Sequence, residues 1–111
     1  MSAPTIDIAT FKELQDSTGA DFVVELLDAY FEELPQMLAE LRTAHNSGAL
    51  EPFRRAAHSI KSNSYTFGAL TLGGMARELE LGEIPKDAAA LDALEAEYAR
   101  VVAALKELTH G

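Results

Sequence analysis

The chain has 111 residues, 48% of them hydrophobic and 24% charged, with no cysteine and a formal net charge of −9. That length gives one domain, 1–111, with a core of its own, and the apolar content excludes disorder. The missing cysteines exclude disulfides, thiolate zinc sites and cysteine nucleophiles, and the acidic balance argues against nucleic acid or anionic membrane as a partner.

The apolar residues recur at helical rather than alternating spacing, with Gly19, Asn46-Ser47-Gly48, Gly68 and Gly82 to Pro85 as punctuation. The first predicted helix runs from about Asp7 to Ser17 and is closed by Gly19. The second starts at an Asp21 cap and reaches about Asn46. Its stripe of Val23, Leu27, Tyr30, Phe31, Leu34, Leu38 and Leu41 demands helical partners. Pro35 removes one backbone bond inside that stripe, so a kink near Phe31 to Pro35 is expected, without a break.

The third helix opens on Leu50, Glu51 and Pro52, proline being suited to a first turn, and ends near Phe67 before Gly68. A fourth, from about Ala69 to Leu81, carries Leu72, Met75, Ala76 and Leu79. Within it Gly73-Gly74 either weakens the helix or lets a neighbour approach closely. The fifth follows an Asp87 cap from Ala88 to Leu108, with Leu91, Leu94, Tyr98, Val101, Val102, Leu105 and Leu108 repeating at three and four. The expected fold is all-α, an antiparallel four-helix bundle with a short additional N-terminal helix.

The third helix holds the chemistry. Between Pro52 and Arg77 there is no Asp or Glu, yet Arg54, Arg55, Lys61 and Arg77 all fall there, so one stretch of an acidic protein is selectively basic. On a wheel of about 100° per residue, Phe53, Ile60 and Phe67 lie opposite His58, with Ala56 and Ala57 flanking them. Arg54, Arg55, Lys61, Ser62 and Tyr65 fall within about 60° of His58 on the same wheel. His58 therefore points away from the core into basic surroundings. A neutral imidazole needs no activation to attack phosphorus near pH 7, and the charge it gains on phosphorylation suits nearby Lys61 and Arg55. His45, near a helix C-terminus, and His110, in the tail, read as solvated or satisfied side chains.

The run Ala57-His58-Ser59-Ile60-Lys61-Ser62-Asn63-Ser64-Tyr65-Thr66-Phe67-Gly68-Ala69-Leu70 closely resembles the signature of histidine phosphotransfer domains. In that signature Ala-His-x-Leu-Lys leads through small residues to Gly-Ala. Leu79-Glu80 resembles the Leu-Glu that closes the family's following helix, and Phe31 to Leu41 its proline-containing preceding helix. The resemblance implies that His58 is the phosphoacceptor through its outer nitrogen, that Lys61 helps hold the phosphoryl oxygens, and that Gly68 ends the helix tightly. Ser62 replaces the family's usual glycine, and Tyr65 stands where a small residue is more usual.

The resemblance further implies a phosphocarrier, not an enzyme. It would take a phosphoryl group from the aspartyl phosphate of a response-regulator receiver domain and pass it to another receiver, directly or through a hybrid histidine kinase. It would need no cofactor, the Mg²⁺ and the acidic pocket belonging to the receiver. No glycine loop for ATP is present, and Ser59 stands where transmitter-type kinase helices place an acidic residue after the histidine.

Receiver docking is expected to use Arg54, Arg55, Ser62, Tyr65 and Phe22. Phe22 lies off the main stripe of its helix, and its other reading is packing against the first helix. The alternative function is a non-phosphorylated adaptor that binds or sequesters a receiver. A carboxylate metal site in a bundle wants paired Glu-x-x-His motifs, and only Glu107 to His110 has that spacing, so no metal is expected. A cytoplasmic monomer is expected, since the chain shows neither a membrane-length apolar run nor the parts of a signal peptide. Met1 followed by a short capped helix suits a free-standing protein.

Overall fold

The protein is described by a computed structural model covering residues 5–110. Five helices follow in order: α1 (Ile8–Thr18), α2 (Ala20–Ser47), α3 (Leu50–Thr66), α4 (Leu70–Leu81) and α5 (Ala89–His110). The predicted all-α architecture is the observed one, and the helix boundaries explain themselves locally. Asp7 caps α1 by accepting from the Thr10 amide at 3.2 Å. Gly19, at φ 93°, then closes α1 and opens α2. The predicted Asp21 cap is therefore corrected. One residue in a conformation that suits glycine joins the two helices, so α2 has begun before Asp21 is reached, and Asp21 sits in its first turn.

Pro35 lies inside α2, which runs unbroken past it. Pro35 itself is exposed, whereas Leu34 and Leu38 are buried on either side, so the lost amide faces solvent while packing continues. Asp87 accepts from the Ala89 amide at 3.0 Å, and α5 begins there.

Cross-helix contacts give the topology. Tyr30 meets Ser64 across α2 and α3, Tyr65 meets Gly73 across α3 and α4, and Arg42 meets Asp92 and Glu95 across α2 and α5. Within each pair, one helix descends as the other rises, which is the antiparallel bundle the stripes require. The core draws Val23, Leu27, Leu34 and Leu41 from α2, Phe53 and Ile60 from α3, Leu72 and Ala76 from α4, and Leu91, Leu94, Val101 and Leu105 from α5. Each large apolar side chain buried there is worth about 1.5–3 kcal/mol. Leu108, expected on the α5 stripe, is exposed, and with Ala104 it lines an open hollow beside Ile6 and Ile8 at the start of α1.

Among the described residues two polar ones enter this interior. Ser64 is wholly buried and shares a 2.9 Å hydrogen bond with the Tyr30 hydroxyl, and burial pushes that phenol's pKa far up. Glu97 is the other, and it accepts from Arg100 one turn along α5. α1 is tied to the bundle through Gly68, whose carbonyl accepts from the Asp7 amide at 2.7 Å. A Cβ on Gly68 would stand 2.7 Å from the Asp7 carbonyl oxygen, and its φ of 83° independently calls for glycine. Among the described residues no helix is long and apolar enough to cross a membrane.

Candidate functional site

α3 is two-faced. Phe53, Ala57 and Ile60 are wholly buried on one side, while on the other the His58 side chain is 57% exposed. The cause is the wheel: Ile60 lies two positions after His58, and about 200° of rotation carries the imidazole to the opposite face. The neighbours placed around His58 by the same argument divide between two flanks.

On the α4 flank, the Lys61 ammonium donates to Glu80 Oε1 at 2.6 Å, and His58 Nδ1 lies 2.7 Å from Glu80 Oε2. Glu80 thus bridges the histidine and the lysine three residues along. The adjacent Lys61 charge, helped by His58, holds the Glu80 carboxyl below the usual carboxylate range, against a smaller opposing effect of desolvation. An ionised carboxylate only accepts, so Nδ1 carries the proton, and in the neutral ring the lone pair is left on Nε2. Among the described residues no hydrogen bond reaches Nε2.

Arg54 leans the same way. It is half-buried and reaches the Gly82 carbonyl at the end of α4 at 3.4 Å, while its Nε is buried without a partner. Tyr65, whose role the sequence left open, lays its ring over α4 at Gly73, where any Cβ would overlap it. The neighbour that the Gly73-Gly74 pair admits is therefore Tyr65.

On the α2 flank, Arg55 and Ser59 line an open groove together with Ala39, Glu40, Ala44 and Ala56. Ser62 is exposed one turn beyond His58. Phe22 lies on α2 and is 48% exposed, so packing on α1 does not bury it. The site thus gathers His58, Lys61, Arg54 and Tyr65 against α4 and leaves Arg55 and Ser62 open. It adds Glu80, which the sequence offered only as half of a Leu-Glu resemblance.

The remaining histidines stand apart. His45 Nε2 lies 2.9 Å from the Pro85 carbonyl oxygen, with the ring beside Phe53, so it is satisfied as expected. The His110 side chain falls outside the described residues. Among the described residues no group of three or more His, Asp or Glu side chains could hold a metal ion.

The profile of the Hpt domain family matches residues 25–104, which include the whole α3–α4 site. Among solved structures, histidine-containing phosphotransfer protein B (HptB) from Pseudomonas aeruginosa PAO1 is similar, with 31% identity and a TM-score of 0.86, over 98% of this chain and 97% of that one. A comparison with curated protein sequences returns no significant match.

Proposed function

Because the chain belongs to the Hpt domain family, whose members are phosphocarriers that work with response-regulator receiver domains in phosphorelays, we propose that His58 is its phosphoacceptor. The observation that carries this reading is the Glu80 contact to Nδ1, which leaves the Nε2 lone pair on an exposed ring.

In the proposed step the Nε2 lone pair forms the N–P bond as the P–O bond of the receiver's aspartyl phosphate breaks. The bonding electrons leave on the receiver's carboxylate, and no proton has to cross. The Mg²⁺ and the acidic pocket come with the receiver, so the carrier's work is positioning and charge neutralisation. Transfer to a second receiver is the same step reversed.

Lys61 stabilises the phosphoryl oxygens, and Arg54 adds positive charge from the preceding turn. Arg55, Ser62 and Phe22 are exposed and available for docking, with Tyr65 shaping the edge toward α4. The partners proposed are receivers, free or within hybrid kinases, met by a monomer in the cytoplasm.

The test is to incubate the chain with a receiver phosphorylated by a radiolabelled small-molecule donor. Label is expected to pass to the wild-type chain and not to His58→Gln. Label that still reaches His58→Gln refutes the assignment, and binding without transfer to the wild-type chain makes it an adaptor.

A further inference from the structure

Resting on that reading, we infer that Arg55, with Ser62, holds the phosphoryl oxygens carried by His58 from the α2 side, opposite Lys61. The ring itself gives the direction. His58 Nδ1 lies 2.7 Å from a carboxylate oxygen of α4 and so faces that helix. The two nitrogens of an imidazole point to opposite sides of the ring, so Nε2 opens outward and toward α2. A phosphoryl group formed there stands clear of the α4 flank, where the Lys61 ammonium is already paired at 2.6 Å.

On the helical wheel, with His58 at zero, Lys61 and Arg54 fall about 60° and about 40° to the α4 side, while Arg55 and Ser62 fall about 60° and about 40° to the other. Helical side chains lean back toward the N-terminus. The imidazole therefore overhangs the turn that carries Arg55, and Ser62 leans toward His58 from the turn after it. One cation and one hydroxyl thus flank Nε2 on the side to which it opens.

Both groups are uncommitted. Arg55 is exposed, and among the described residues it makes no ion pair, although Glu40 lines the same groove. Arg54, from the same turn, is drawn instead to the Gly82 carbonyl at the end of α4. Ser17, Thr18, Ser47, Thr66 and Thr109 each donate to the carbonyl one turn back along the helix, at 2.7 to 3.1 Å. Ser62 does not, and among the described residues no hydrogen bond reaches its hydroxyl. A phosphoryl group presents three acceptor oxygens, and a guanidinium is a planar fork that can meet two of them at once. The hydroxyl of Ser62 supplies a further donor.

Phosphoryl binding and receiver docking by Arg55 are separable. A contact made only with the receiver changes the rates of transfer in both directions and leaves the equilibrium between the free species where it was, whereas a contact with the phosphoryl group moves that equilibrium. In Arg55→Ala the balance between phosphorylated receiver and phosphorylated carrier is expected to move about tenfold toward the receiver, the scale of one charge-assisted hydrogen bond. Arg55→Lys, which keeps the charge and loses the fork, and Ser62→Ala are each expected to move it about threefold. When the wild-type chain is phosphorylated by phosphoramidate with no receiver present, the Arg55 guanidinium resonances are expected to shift. Circular dichroism should show unchanged helix content in every variant, since both side chains are exposed.

A transfer equilibrium unmoved in Arg55→Ala overturns the inference and leaves Arg55 to docking. So do Arg55 resonances indifferent to phosphorylation. Failure of the carrier reading shows separately, as a wild-type chain that takes no phosphoryl group from either donor, and that result overturns both.

Discussion

Arg42 and Glu80 each bridge two side chains on a neighbouring helix, Arg42 the carboxylates of Asp92 and Glu95, and Glu80 the His58 imidazole and the Lys61 ammonium. The two clusters have similar hydrogen-bond lengths, from 2.6 to 2.8 Å, and both join antiparallel helices. They differ in what they leave over. In the Arg42 cluster a planar fork meets carboxylates that have no further chemistry to offer, so the arrangement fastens α2 to α5. In the Glu80 cluster one partner is an imidazole, and holding its Nδ1 leaves a nucleophilic nitrogen free. The same physics gives a fastener in one place and the proposed phosphoacceptor in the other, decided by which residue types the bridge joins.

Several changes would break or sharpen that contrast. The largest expected effect is His58→Gln, which should reduce phosphoryl acceptance to background while unfolding free energy stays within about 0.5 kcal/mol of the wild type, since the side chain is exposed. Receiver transfer and a denaturant curve on the same sample check both halves. Lys61→Ala should slow transfer or shorten the phosphohistidine lifetime by about tenfold, the size of a charge-assisted hydrogen bond, with the helix content unchanged. Rates and lifetimes equal to the wild type would remove Lys61 from the site.

Gly73→Ala tests the packing behind the α4 flank. The new Cβ overlaps the Tyr65 ring, so α3 and α4 must shift, and overpacking of this kind costs about 1–3 kcal/mol. Thermal denaturation reads the loss. Arg42→Ala should lower Tm and leave transfer untouched, because its partners lie on α5, away from His58. A transfer defect in that variant would mean that the two clusters are coupled.

Acid distinguishes the clusters least. Lys61 keeps the Glu80 carboxyl, and Arg42 the Glu95 carboxyl, below the ordinary carboxylate range. Groups depressed in the folded chain contribute stability that is present above the unfolded pKa of about 4.3 and lost as pH falls through the folded values. Stability should therefore hold from neutrality down to about pH 5 and fall below it. A pH series of melting curves checks the sign.

Helical periodicity was enough to read the number and order of the helices and the direction in which His58 points, because both follow from residues a few positions apart on one helix. Phe53 and Ile60 place His58 outward with no knowledge of any other element. Glu80 was not legible in that way. It lies 22 residues from His58, and only the register between α3 and α4 brings its carboxylate to Nδ1. The same register sets Tyr65 on Gly73, Arg54 on Gly82 and Lys61 on Glu80, so three side chains that look solvated on a wheel are in fact turned toward α4. Gly19 misled for the opposite reason, since a single residue serves two helix ends where the sequence offers a better capping side chain at Asp21.

The most direct measurement is the phosphorus and nitrogen-15 spectrum of the phosphorylated chain with its histidines labelled. One phosphoramidate signal is predicted, acid-labile and base-stable, coupled to Nε2 of His58 while Nδ1 keeps its proton. Phosphorus bonded to Nδ1, or to any residue other than His58, would contradict the account.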